Sequence, residues 1–119
     1  MSEKRSECPI SQCLEIWGDK WSLLIIRDLS LNKMCTYGDF LKSEEKIATN
    51  ILASRLKKLS ENGIIEKLPN PQNKLKSFYR LTEKGTDLQP ILTKMLLWAD
   101  KYLEHNKKEL VKKIRSMGN

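Results

Sequence analysis

The sequence predicts an α+β domain that is mostly helical, with one β-hairpin set between helices. Two observations carry this. Apolar residues recur at spacings of three and four through most of the chain. A single pair of short, β-prone runs flanks the loop PNPQNK, Pro69–Lys74, whose two prolines and two asparagines are turn chemistry. A length of 119 residues suits one compact domain.

In chain order, Ser11–Trp17 is a short helical stretch with Cys13, Ile16 and Trp17 as its apolar members, broken by Gly18. Asp19 is placed to cap the next helix, Lys20–Ser30, by accepting from an orphan N–H of its first turn. That helix carries Trp21, Leu23, Leu24, Ile25, Ile26 and Leu29. Being apolar on nearly all sides, it belongs at the centre of the domain. Thr36 opens a second short helix, TYGDFLKS, with Tyr37, Phe40 and Leu41 on one side. The third, within IATNILASRLKKLSENG, buries the face centred on Leu52, with Ala48, Leu56 and Leu59 within about 40° of it at 100° per residue. Asn50, Ser54 and Glu61 point away, and Lys57 lies close to them. Gly63 stops the helix by taking φ > 0 at C′.

Ile64–Leu68 and Lys76–Leu81 then form the hairpin, Phe78 and Tyr79 supplying β-propensity. Thr82 caps a further helix that Pro90 kinks or restarts. Between Leu88 and Leu103 this helix holds more apolar surface than one domain face needs, and the excess is read as a subunit interface. Lys107–Arg115 is a basic amphipathic end with Leu110, Val111 and Ile114 as its sparse apolar side.

Helix, helix, short turn, helix, hairpin, helix is the winged helix-turn-helix arrangement, with the helix-turn-helix over approximately 36–62 and the wing over approximately 64–81. In such a motif the second helix enters the major groove while the first crosses the backbone. That gives the outward Asn50 and Ser54 a purpose, since short amide and hydroxyl groups hydrogen-bond base edges. Arg55, Lys57 and Lys58 can reach phosphates, as can the wing residues Asn73, Lys74, Lys76 and Arg80. The net charge of +7 agrees with an anionic partner. It is spread as −1, +2, +3 and +3 over residues 1–30, 31–62, 63–85 and 86–119. Double-stranded DNA is therefore the expected partner.

Other classes fit less well. No Ser/His/Asp set, phosphate-cradling glycine loop or metal-ligand spacing stands out, so neither an enzyme, a metal site nor a cofactor is expected. The longest apolar run, Leu23–Ile26, is too short to span a bilayer. Three cysteines without a secretory signal point to a reducing, cytoplasmic setting. Trp21 and Trp98 are read as packing aromatics in preference to a ligand pocket, and His105 is expected in solvent at a helix end. The competing reading is a winged helix used as a protein-interaction module without sequence-specific DNA binding. The polar, basic character of the outward face argues against it.

Several segments, in order, resemble the HxlR-type, MarR-like winged helix transcriptional regulators of bacteria. They are Gly18-Asp19-Lys20-Trp21, Ile47-Ala48-Thr49-Asn50 with Arg55-Leu56, Leu81-Thr82-Glu83-Lys84-Gly85, and Trp98. The resemblance covers roughly Cys8–Leu103. It implies a sequence-specific homodimeric regulator, a repressor by expectation, whose two recognition helices read a pseudo-palindromic operator. Thr49 joins the recognition-helix set on this basis. The implied dimerisation helices span approximately 9–17 and 83–104. They offer Ile10 and Leu14 from the first, then Leu92, Met95, Leu96 and Trp98, with Ala99, Tyr102 and Leu103, from the last. Some members use a cysteine at the position of Cys8 to sense oxidants or electrophiles, which makes Cys8 the candidate redox sensor and an oxidant or small molecule the candidate effector. Its sequence neighbours Lys4 and Arg5 would favour the reactive thiolate. Many relatives place Ser-Pro at the head of the recognition helix. Here Ala48-Thr49 stands instead, so the cap is expected from Thr49 or water. The basic end after Leu103 falls outside the resemblance.

Overall fold

The computed structural model describes residues 6–118. Its elements are α1 (Pro9–Ile16), α2 (Lys20–Asn32), β1 (Cys35–Thr36), α3 (Tyr37–Leu41), α4 (Thr49–Glu61), β2 (Ile65–Leu68), β3 (Phe78–Leu81), α5 (Glu83–Thr86), α6 (Gln89–Tyr102) and α7 (Lys108–Gly118). The mostly helical α+β, winged helix reading holds.

Local chemistry sets most boundaries. Asp19 caps α2, its carboxylate accepting from Ser22 N at 3.1 Å. Thr36 caps α3 in a reciprocal box: Asp39 N donates to Thr36 Oγ1, and Thr36 N to the Asp39 carboxylate. At the end of α4, Gly63 N donates to Ser60 O and Ile64 N to Leu59 O. With Gly63 at φ +73°, this is a Schellman stop. It is sealed by the buried pair Leu59 and Ile64. Thr82 caps α5 by accepting from Gly85 N. Pro90 restarts the helix in the first turn of α6.

α2 runs through the middle, with Ile25, Ile26 and Leu29 in the core alongside Phe40, Leu52, Leu56, Leu59, Ile64 and Ile65. It packs against both α4 and α6.

Several boundaries differ from expectation. The sheet has three antiparallel strands in the order β1-β3-β2. The two-residue β1 pairs Cys35 with Tyr79 and Thr36 with Phe78. So short a strand has no periodicity of its own and exists because β3 offers it an edge. The hairpin strands begin at Ile65 and Phe78, which leaves Lys76 in the loop. Ala48, expected on the buried face, is the exposed N-cap of α4 in extended conformation. The helical angle that placed it inward does not apply before the first turn. Thr49 is the first helical residue, and α4 has no side-chain cap.

Trp98 is 59% exposed and not a core aromatic. His105 is not in open solvent either. Its Nε2 lies 2.8 Å from Asp100 Oδ1, and Lys107 N donates to its Nδ1 at 3.0 Å. The basic end is a helix, α7, that folds back on α6 and buries Val111 and Ile114.

Candidate nucleic-acid interface

α4 is divided between two tasks. Leu52, Leu56 and Leu59 lock one face into the core. Asn50, Ser54 and Lys57 are exposed on the other, with Thr49 and Ala53 beside them. Three polar links fix where that outer face points. Tyr37 Oη donates to Thr49 O at 2.8 Å, tying the start of α4 to α3. Arg55 Nε donates to Asp19 Oδ2 at 2.8 Å, tying the middle of α4 to the head of α2. Arg27 of α2 grips Glu45, in the turn before α4, through two hydrogen bonds of 2.7 and 2.9 Å.

The Asp19 carboxylate therefore caps α2 and anchors α4 at once. Burial alone would raise its pKa. The Ser22 and Arg55 hydrogen bonds outweigh that and hold it below the ordinary value of 3.8. Glu45 is likewise lowered, chiefly by its hydrogen bonds from Arg27.

The wing stands beside this face. A groove of about 390 Å³ runs between the start of α3 and the hairpin, lined by Thr36, Tyr37, Lys67, Leu75, Lys76 and Tyr79. Since Tyr37 is bonded to Thr49, the head of α4, the head of α3 and two wing lysines share one side of the molecule. The loop is ordered by asparagine turns: Asn70 Oδ1 accepts from Gln72 N, and Asn73 Oδ1 from Leu75 N. These present Lys74, Leu75 and Lys76 outward, Leu75 with 96% of its surface exposed.

The residues expected to touch DNA thus divide into two groups. Thr49, Asn50, Ser54, Lys57, Lys74 and Lys76 stand exposed. Arg55 is bound to Asp19, and Lys58 is half-buried. Arg80 pairs across the hairpin with Glu66 at 2.6 Å, and the Asn73 carbonyl oxygen holds its own turn. Sequence spacing could not reveal these ties, because Arg55 and Asp19 are 36 residues apart.

Apart from this face, Ile10 and Leu14 of α1 and Met95, Trp98 and Tyr102 of α6 expose their side chains, as does Leu103. The Trp98 and Tyr102 rings lie 5.2 Å apart. Leu96 and Ala99 are half-buried within the chain, and Leu92 packs against the core.

The thiols differ in setting. Cys8 is exposed at the N-cap of α1, Cys13 is half-buried and Cys35 is buried. Burial first, then the nearby Asp28 and Asp39 carboxylates, push the Cys35 thiol up to about 11, leaving it unreactive. Lys4 and Arg5, expected to act on Cys8, lie outside the described residues. Among the described residues no cluster suits a metal ion, and no helix is long and apolar enough to cross a membrane.

Residues 16–107 match the HxlR-like helix-turn-helix family model. The HTH-type transcriptional regulator YodB of Bacillus subtilis is 35% identical over 98 residues, which cover 82% of this chain and 87% of that protein. Among solved structures, PA1607, described as a candidate transcription factor, superposes with a TM-score of 0.74 at 36% identity, over 88% of this chain and 72% of its own. Diamide-treated YodB from B. subtilis superposes with a TM-score of 0.60 at 33% identity, over 85% and 100%. A helix with a three-leucine inner face and a polar outer one beside a short wing, in a chain so matched, leads to one conclusion: this protein belongs to the HxlR-like helix-turn-helix family of transcriptional regulators.

Proposed function

We propose that the chain works as a homodimeric repressor that binds duplex DNA in a sequence-specific way, with α4 in the major groove and the wing on flanking phosphates. The observation that carries this is the outer face of α4. Asn50, Ser54 and Lys57 stand exposed on a helix whose opposite face is fixed in the core and whose neighbour is a lysine-bearing wing. A solvated helix face needs no such rigid support from Asp19 and Tyr37. The apolar stripe on α1 and α6 supports self-association, because a monomer rarely leaves so many large apolar side chains exposed together. Two copies would then span half-sites about one helical turn, ~34–36 Å, apart.

The exposed Cys8 thiol is the proposed input, where an oxidant or electrophile acts. It stands at the N-cap of the short helix that carries Ile10 and Leu14, so its modification falls beside the proposed dimer surface. The solved forms of YodB include reduced, diamide-treated and quinone-bound states, which supports looking for the same class of signal here.

The test is fluorescence anisotropy with DNA from upstream of the protein's own gene and with a scrambled duplex, at two salt concentrations, with and without a thiol oxidant. Specific regulators prefer their sites by roughly 10³ or more. A clear preference, lost with oxidant in the wild type and retained in Cys8→Ser, supports both halves of the reading. A preference indifferent to oxidant removes Cys8 as the input. Weak, equal, salt-sensitive binding to both duplexes, together with retention of a partner protein, would replace DNA reading by protein interaction. A promoter reporter that rises on deletion of the gene supports repression, and one that falls makes the protein an activator.

A further inference from the structure

The family match ends at residue 107, so α7 lies beyond the part of the fold that the family shares. It is nevertheless firmly placed. Val111 and Ile114 are 5% and 6% exposed, packed on α6. At its head, Lys108 Nζ and His105 Nε2 both lie 2.8 Å from Asp100 Oδ1. Lys107 Nζ reaches 2.9 Å from Glu44 Oε1, in the turn between α3 and α4. That last contact brings the residue just ahead of α7 to the turn that precedes α4.

The charges are arranged in a consistent way. Glu44 and Glu45 are adjacent carboxylates just before α4, where a phosphate backbone would meet them. Each is covered by a cation from elsewhere, Glu44 by Lys107 and Glu45 by Arg27. Beyond that point α7 exposes Lys112, Lys113 and Arg115. Lys112 has only a loose 3.8 Å approach to Glu109. Among the described residues Lys113 and Arg115 make no ion pair. At a rise of 1.5 Å per residue these cations stand roughly 8–12 Å along the helix from Lys107. That is about a Debye length at physiological salt. A basic amphipathic helix could also suit an anionic membrane. Here, though, Val111 and Ile114, the apolar residues that would enter lipid, are buried, and Lys112, Lys113 and Arg115 face out along with Glu109.

We propose that α7 is an additional DNA-backbone contact, with Lys112, Lys113 and Arg115 lying on phosphates next to the segment that α4 reads. This rests on the reading of the chain as a DNA-binding regulator. Such a contact adds affinity and salt dependence without sequence information.

The test compares the wild type with the triple variant Lys112→Gln/Lys113→Gln/Arg115→Gln in a salt series, on the protein's own upstream duplex and on a scrambled one. All three side chains are exposed, and circular dichroism checks that the fold is kept. Each lost phosphate contact lowers the slope of log K against log salt by about 0.9. The expected result is a slope shallower by roughly 2–3 per protomer on both duplexes, with the preference between them unchanged. An unchanged slope on both duplexes overturns the proposal while leaving the DNA-binding reading intact. If that unchanged slope comes with charge-dependent binding to phosphatidylglycerol vesicles, the surface belongs to a membrane instead. A wild type without preference whose slope still falls in the variant supports the α7 contact and defeats sequence-specific reading by α4. Failure of the wild type to bind either duplex at low salt ends both.

Discussion

Gly85→Ala is a substitution for which helix propensity and packing predict opposite signs. Gly85 lies within α5, where alanine is favoured over glycine by roughly 1 kcal/mol. From propensity alone the variant should be more stable. In the fold, a Cβ at Gly85 would sit 2.1 Å from the carbonyl oxygen of Ile64 and 3.0 Å from Leu81 Cδ2. The nearer atom is backbone at the entry to β2, so no rotamer change relieves the clash. Reaching ordinary contact, at 3.4 Å or more, requires α5 and the base of the wing to separate by over an ångström. Ile64 O is also the acceptor for Thr82 N, at 3.1 Å, and for the Thr82 hydroxyl. The same movement strains those bonds.

Overpacking of this kind costs about 1–3 kcal/mol, and a lost hydrogen bond adds about 1 kcal/mol. Set against the propensity gain, the net loss is about 1–3 kcal/mol. Urea denaturation measures it, at one fixed protein concentration because an oligomer's stability depends on concentration. An alanine variant as stable as the wild type, or more stable, would refute the claim that α5 is held against the strand by contact too close for a side chain.

Further outcomes are expected at three other places. Leu56→Ala removes a side chain that is 3% exposed between α4 and the core, and should cost about 2–5 kcal/mol in the same denaturation experiment. Trp98→Glu puts a charge at the centre of the exposed α6 stripe; it should leave the circular dichroism spectrum unchanged and weaken self-association at least ~100-fold, as hot-spot aromatics do, read by light scattering across a dilution series. Asp19→Asn loses the charged partner of Arg55 and should cost about 1.5–3 kcal/mol at neutral pH. Because the folded pKa of Asp19 is depressed, its contribution is present above the unfolded value near 4 and lost as pH falls through the lower folded value. The stability gap between wild type and Asp19→Asn should therefore close in acid, and a gap that persists below the folded value would assign the loss to packing.

What could be read from the sequence was what local chemistry decides. Asp19, Thr36 and Thr82 are capping residues acting within three residues of themselves. Gly63 answers to one backbone angle, and Pro90 to one missing donor. The three-leucine face of α4 follows from helical spacing, and its opposite face follows by subtraction. What could not be read depends on partners far along the chain. β1 exists through pairing with Tyr79 and Phe78, more than forty residues on. The tie of Arg55 to Asp19 spans 36 residues, so nothing local in the sequence sets Arg55 apart from Lys57 and Lys58 as a cation on α4. Asp19 was identified as a cap without any sign that it had a second client. Gly85 stood in a recognisable segment, but its reason is a carbonyl contributed by Ile64. The docking of α7 depends on Val111 and Ile114 finding room on α6, which no periodicity reports.

The ties that the sequence hid are also the ones that give the candidate site its rigidity. α2 packs against both α4 and α6, the helix that carries much of the exposed apolar stripe. Beyond core packing, two ion pairs tie α2 to this region: Asp19, at its head, to Arg55 of α4, and Arg27, past its middle, to Glu45 in the turn before α4. Helix packing alone permits some sliding of ridges in grooves. Two charged clamps at separate points along α2 oppose that sliding, because a shift that relaxes one stretches the other. Close-packed interiors are also nearly incompressible, so displacement is passed on and not absorbed. α4 and α2 therefore behave as one body in this fold. The orientation of Asn50, Ser54 and Lys57 relative to α2 is thus set by these two ties together with the leucine face of α4.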